Sequence, residues 1–181
     1  MTFTSSVFIG TSLDGFIARQ DGDLHWLTSR GEAAGDYGYD AFIAGIDAVV
    51  MGRGTYEPAL GYDTWPHEGL HVAVLSTTLQ AGADPRITVY RDLDRLLRGL
   101  EERGARSVYV DGGQVIRAFL RAGLIDEITI TTVPVVLGTG VPLFGPVGGD
   151  IPLSHVRTKV LGAGVVQSTY KVERQAAPCT P

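Results

Sequence analysis

The residues of this chain that could do chemistry are gathered around two glycine turns. Val49-Val50-Met51 is an apolar run that stops at Gly52-Arg53-Gly54-Thr55-Tyr56-Glu57. Ser107-Val108-Tyr109-Val110 stops at Asp111-Gly112-Gly113, and a helical pattern follows from Gln114 to Ala122. A strand that enters a helix through glycine aims unpaired backbone N–H groups and the positive end of a helix dipole at one point. Such a point favours an anion such as a pyrophosphate, and Arg53 and Thr55 add a charge and a hydroxyl donor. One such turn alone reads equally well as an ordinary strand-to-helix connection. Two of them can face a single ligand that carries several phosphates.

Composition narrows the field of partners. A chain of 181 residues is long enough for one domain with one large core, expected over residues 1–174 with a disordered tail at 175–181. The formal charge of −5 and the scatter of the basic residues give no nucleic-acid surface, so an anionic ligand must be held by local donors. Cys179 stands alone in the tail, which rules out an intramolecular disulfide and makes a poor setting for a catalytic thiol. His25, His67, His71 and His155 lack metal-ligand spacing, so no metal site is expected. Without a signal-peptide pattern or a membrane span, the expected location is the cytoplasm.

The elements that must position these turns follow from the apolar pattern. Thr4 to Thr11 reads as a buried strand, and Ser12 to Thr28 as a long Gly- and Asp-rich loop. Gly35 to Gly45 carries a weak helical pattern through Tyr39, Phe42 and Ile43. Strands are expected at Ala48–Met51, His71–Ser76 and Ile87–Tyr90, with a short helix from Thr55. Leu93, Leu96, Leu97 and Leu100 form one face of a helix that Gly104 stops. After Asp126 come one long β-branched run, Glu127 to Leu137, and a hairpin of Ser154–Gly162 with Val165–Val172. Alternating strands and helices predict an α/β fold with a mainly parallel central sheet, helices on both faces and a C-terminal antiparallel hairpin. Sites in such sheets lie beyond the carboxyl ends of the strands, where both glycine turns and Ser76-Thr77 fall.

These segments resemble a known superfamily. Ser12-Leu13-Asp14-Gly15-Phe16-Ile17-Ala18, Met51 to Glu57, Leu75-Ser76-Thr77 and Asp111-Gly112-Gly113 stand in the order found in the dihydrofolate reductase-like superfamily. The run Thr129 to Gly138, closing at Pro142-Leu143-Phe144, is similar to the branch that includes the C-terminal reductase domain of bacterial bifunctional riboflavin-biosynthesis proteins. The resemblance spans roughly Phe3 to Val172. It implies a dihydrofolate reductase-like fold, NADPH as cofactor and hydride transfer to a heterocyclic or ribosylated pyrimidine.

Residue by residue, the resemblance assigns Gly52, Arg53, Gly54 and Thr55 to the pyrophosphate and part of the adenosine 2′-phosphate. It assigns Ser76 and Thr77 to the rest of the 2′-phosphate pocket, and Gly112, Gly113, Gln114 and Val115 to the second phosphate-facing helix start. Gly10 and Ile17 would flank the nicotinamide, and a cis peptide is expected within Asp111-Gly112-Gly113. Counting back from Met51 without gaps puts Asp36 at the position of the carboxylate that orients a pteridine; Asp40 is one turn further on. Asp14 competes for the proton-transfer role from its loop, or is simply the Asp of an Asp-Gly turn. Trp26 either walls the substrate pocket or anchors the core, and Tyr39 is a second candidate for the substrate wall.

Three readings of function stand at this point. One is a pyrimidine reductase resembling 5-amino-6-(5-phosphoribosylamino)uracil reductase. Another is true dihydrofolate reductase activity, and the third is a nucleotide-binding protein without turnover. A small heterocyclic substrate and a homodimer are the expected partners, the latter mainly because the resemblance implies it, with support from β-branched C-terminal strands that exceed what one small sheet buries.

Overall fold

The computed structural model describes residues 2–35, 37–82 and 84–173. Its core is an eight-stranded sheet in the order β5-β4-β3-β6-β1-β7-β10-β9. The strands are β1 (Thr4–Ser12), β3 (Ala48–Gly52), β4 (His71–Leu75), β5 (Ile87–Tyr90), β6 (Ser107–Asp111), β7 (Glu127–Val133), β9 (Leu153–Val160) and β10 (Val166–Val172). The first six are mutually parallel; β10 runs antiparallel to β7 and β9. A separate two-stranded ribbon pairs β2 (Phe16–Ala18) with β8 (Val141–Pro142).

The apolar run of β3 explains why it lies inside the sheet, between β4 and β6. Val50 packs into one apolar cluster with Val110, Ala73, Leu96, Leu100, Ile116 and Phe119. Its neighbours Val49 and Met51 join Val72, Val74, Tyr56 and Tyr109 on the opposite face. A strand buried on both faces needs an unbroken apolar run, which Ala48 to Met51 supplies. The first cluster is covered by α4 (Leu93–Glu102) and α5 (Gly113–Arg121), the second by α2 (Tyr39–Ile43) and α3 (Arg53–Ala59). Phe119 has no exposed surface, so truncating it to alanine costs about 3–5 kcal/mol.

Local signals set the boundaries. Asp92 caps α4 by accepting from the backbone N–H of Arg95 at 2.8 Å. Gly104, at φ 70°, ends it in the left-handed turn expected of a glycine stop.

Two expected elements change. The Ser12–Thr28 segment is not all loop, because it contains β2 and the start of α1 (His25–Ala34). The long run after Glu127 stops at Val133, since Pro134 has no N–H to continue the ladder. All eight residues of β9 are exposed, leaving an open edge.

Candidate active site

The parallel strands β3 and β6 are neighbours, with Met51 paired to Asp111, so their two glycine turns emerge side by side. Gly52 precedes α3 and Gly112 precedes α5, and neither helix start has a side-chain cap. The first N–H groups there are thus left for another acceptor. Gly112 has φ 85°, and a β-carbon added to it would run into Thr55 Oγ1. On Gly113 a β-carbon would stand 3.2 Å from Ile17 Cδ1, and on Gly52 it would stand 3.3 Å from Val115 Cγ2. The fold therefore brings Gly52, Thr55, Gly112, Gly113, Val115 and Ile17 together. Above Gly54 there is open space, and Gln114 is exposed at the start of α5. A cradle of free N–H groups beside an open glycine fits a pyrophosphate.

One expectation about this turn fails. Every peptide bond among the described residues is trans, including those of Asp111-Gly112-Gly113. The chain is redirected instead by the positive φ of Gly112, whose N–H donates to Asp111 Oδ1 at 2.8 Å.

At the end of β4, Ser76 is buried and its hydroxyl oxygen accepts from the N–H groups of Thr78 and Leu79 at 3.3 and 3.0 Å. Thr77 is exposed beside it. Arg53 is half exposed and only loosely paired with Glu57 at 3.8 Å. A pair of that kind contributes well under ~1 kcal/mol, so the guanidinium can turn to a phosphate at little cost. Sequence reasoning missed Arg91, the residue after β5, whose Nη1 donates to the carbonyl oxygen of Ser76 at 2.8 Å.

The loop after β1 is held by Asp14. Its carboxylate accepts from Ser12 Oγ at 2.6 Å and from the N–H groups of Leu137 and Gly138 at 3.1 and 2.7 Å. The Ser12 hydroxyl above all, with those N–H groups, holds the carboxyl down to about 2. The same loop is tied by the β2–β8 ribbon and by the Leu143 N–H donating to the Gly15 carbonyl at 3.0 Å. On α5, Arg117 donates to the carbonyl oxygen of Pro142 at 2.7 Å. This geometry gives Asp14 a loop-closing task and a carboxylate that stays ionised.

On the other face Tyr39 lies edge-on to Phe8 and Tyr109, with ring centroids 6.0 and 6.3 Å away. Burial first, then the charges of Asp111 and Asp40, push its phenol up to about 12. Tyr109 is buried and donates to the carbonyl oxygen of Phe8 at 3.0 Å. Asp111, at the end of β6, is pushed up to about 6 by desolvation, with the Gly112 N–H and the Tyr109 hydroxyl opposing the rise. The sequence signal for Asp111 was slight: an acid closing an apolar strand, which reads as the first residue of a turn.

Asp36 lies outside the described residues. Trp26 is buried, as a core anchor would be, yet its indole N–H has no hydrogen-bond partner among the described residues. At Gly10 the methyls of Leu27 stand 2.8 Å from where a β-carbon would be, so this glycine lets α1 settle on the sheet.

Comparison with known proteins identifies the family. The RibD C-terminal domain describes residues 6–167. The chain belongs to the RibD C-terminal domain family. Its fold is that of the dihydrofolate reductase-like reductase domains. It is 33% identical to the uncharacterized protein YwjB of Bacillus subtilis, over 88% of this chain and 92% of that protein. It is 30% identical to the riboflavin biosynthesis protein RibD of Corynebacterium ammoniagenes, over 72% of this chain but only 42% of that longer protein. A protein of Shewanella sp. PV-4, provisionally named for riboflavin biosynthesis, superposes with a TM-score of 0.85 at 35% identity, covering 95% of this chain and 100% of the other. The deaminase/5-amino-6-(5-phosphoribosylamino)uracil reductase of Thermotoga maritima shares the fold, with a TM-score of 0.71 at 16% identity over 94% of this chain and 57% of that one.

Proposed function

We propose that this RibD-family chain is an NADPH-dependent reductase of a heterocyclic or ribosylated pyrimidine, resembling 5-amino-6-(5-phosphoribosylamino)uracil reductase. The observation that carries this reading is the meeting of two uncapped, glycine-led helix starts under Ile17. When bound, the nicotinamide supplies the hydride. The protein supplies the rest. Gly52, Gly54, Thr55, Gly113 and the start of α5 at Gln114 and Val115 hold the pyrophosphate through backbone N–H groups, while Gly112, its own N–H given to Asp111, turns the chain so that they face it. Arg53, Ser76 and Thr77, joined by Arg91, receive the 2′-phosphate, for which two guanidinium groups favour a doubly charged acceptor. Gly10 and Ile17 set the height of the nicotinamide, and Asp14 closes the loop above it so that water is excluded.

The proton that balances the hydride needs an acid near the reacting ring. Asp111 is suited because desolvation leaves part of it protonated near neutral pH. Asp36 is the second candidate, and the two divide as proton donor and substrate orienter. Trp26, whose indole N–H has no hydrogen-bond partner among the described residues, and Tyr39 face the substrate in this reading. Among the described residues no helix is long and apolar enough to cross a membrane, and the proposed location is the cytoplasm, where NADPH is available.

The test is spectrophotometric. NADPH oxidation with 5-amino-6-(5-phosphoribosylamino)uracil is the expected result. Oxidation with dihydrofolate alone would transfer the assignment to a folate reductase. Tight NADPH binding with neither substrate consumed would make this a nucleotide-binding protein and sink the reductase reading.

A further inference from the structure

Register across β1, β7 and β10 places Gly10, Thr131 and Gln167 in one row. Two members of that row are polar and buried, with Thr131 2% exposed and Gln167 7% exposed. A buried amide is costly unless its N–H groups find acceptors. Both do: Gln167 Nε2 donates to Thr131 Oγ1 at 2.9 Å and to the carbonyl oxygen of Tyr37 at 2.8 Å. The backbone carbonyl can only accept, so the amide atom facing it must be nitrogen. The first bond stays within the sheet. The second leaves it for the link between α1 and α2.

That link needs an outside hold. Tyr37 has φ 56°, in the left-handed region that residues with a β-carbon rarely enter. Gly38 follows at φ 82°, and α2 is only five residues long with no side-chain cap at its start. A helix so short does not fix its own position. Tyr37 also reaches back, its hydroxyl donating to the carbonyl oxygen of Leu27 at 3.2 Å, and Leu27 is the residue whose methyls rest on Gly10. Tyr37 is thus tied to the same sheet row twice, through its carbonyl to Gln167 and through its hydroxyl to the Leu27 that rests on Gly10. Two residues beyond Tyr37 stands Tyr39, whose phenol feels the charge of Asp111.

We infer that Gln167 is a positioning residue for the substrate wall. Its amide holds Tyr37 in the left-handed turn and thereby sets where Tyr39 stands relative to Asp111. The consequence for substrate rests on the reductase reading; the clamp itself does not.

Two variants of the full chain separate the clamp from ordinary core filling. Gln167→Glu keeps the size and can accept from the Thr131 hydroxyl, but it turns an acceptor toward the Tyr37 carbonyl. Gln167→Met keeps the volume and removes both bonds. Hydrogen exchange should accelerate at least about tenfold at the Phe42 and Ala44 amides, which bond to Gly38 and Asp40, while the amides of β7 and β10 keep their protection. NADPH affinity should stay within about twofold, and KM for 5-amino-6-(5-phosphoribosylamino)uracil should rise more than kcat falls. Thr131→Val, which removes only the bond within the sheet, should leave the Phe42 and Ala44 amides protected. Unchanged exchange at those amides in Gln167→Met would overturn the inference, as would an equal acceleration across the whole sheet. The exchange measurement needs no substrate, so it decides the clamp even if the wild-type chain reduces no pyrimidine and the reductase reading falls.

Discussion

Thr55 Oγ1 stands within clashing distance of the place a β-carbon on Gly112 would occupy. The two glycine turns are therefore in contact through these residues, and the second has no room for any larger side chain. Gly112→Ala meets this collision and a positive φ together, so it should either unfold the turn or displace Thr55. Gly54 is the informative contrast, because nothing lies within 4 Å of a β-carbon added there. Gly54→Ala should leave the melting temperature unchanged or slightly raised, while lowering NADPH affinity at least about tenfold if the pyrophosphate fills that space. Unchanged affinity by fluorescence titration would put the pyrophosphate elsewhere.

In the proposed reading, cofactor choice rests on Arg53 and Arg91. Arg53 has only a loose partner, and Arg91 is anchored to the Ser76 carbonyl. Arg53→Ala should weaken NADPH by about 1.5–3 kcal/mol and NADH much less, since a charge-assisted bond is lost only with the 2′-phosphate. Arg91→Ala should do the same and also loosen the turn at Ser76. Wild-type protein that binds NADH as tightly as NADPH would refute the assignment.

Asp111 links stability to pH. Its carboxyl is raised in the folded chain to about 6, so the folded state holds the proton to a higher pH than the unfolded state does. The stability it contributes is full below about pH 4 and is lost as pH rises through about 6. Asp111→Asn should therefore be more stable than wild type at pH 8, by about 1 kcal/mol once its partial exposure is allowed for, and the gap should close near pH 4. Turnover should fall at least about tenfold in this variant and lose its alkaline limb. Asp36→Asn should leave NADPH affinity nearly intact while slowing turnover at least about tenfold, or about 1.4 kcal/mol of barrier. Steady-state kinetics of both variants across pH identify the donor as the one whose replacement removes the titration.

At Asp14 the sign is opposite. Its folded pKa is depressed to about 2, so its contribution is present above pH 4 and lost only as pH falls through about 2. Across the neutral range Asp14 does not titrate. Asp14→Asn should keep the pH profile of turnover while freeing the loop, seen as faster proteolysis between Leu13 and Asp23 and a weaker grip on NADPH. A shifted pH optimum in this variant would return Asp14 to the proton-transfer role.

We further propose that the chain is a homodimer in which a second copy covers β9. All eight residues of that edge strand are exposed, and Val160 keeps 78% of its surface. Long exposed edges invite pairing unless another chain shields them. Val160→Lys should weaken the dimer by at least about tenfold without lowering the stability of the monomer. A single-chain mass for the wild type in light scattering at micromolar concentration would count against it.

The local pattern of this chain was enough to place its sheet and its two glycine turns. Val49, Val50, Val108 and Val110 announce buried parallel strands, because only strands covered on both faces call for unbroken apolar runs. Gly52, Gly112 and Gly113 mark turns of close approach, and the structure shows why: an added β-carbon would crowd Val115, Thr55 and Ile17 in turn. Tertiary structure alone decided the rest. Asp111 became a perturbed acid through burial beside Tyr39 and Tyr109, Arg91 reached the Ser76 carbonyl from the end of β5, and Gln167 met Tyr37 from the far side of the chain. Nothing in the residues flanking Gln167 foretells that bond. A hydrogen bond between positions 130 residues apart has no periodicity to betray it, and it exists only after the sheet has set its register.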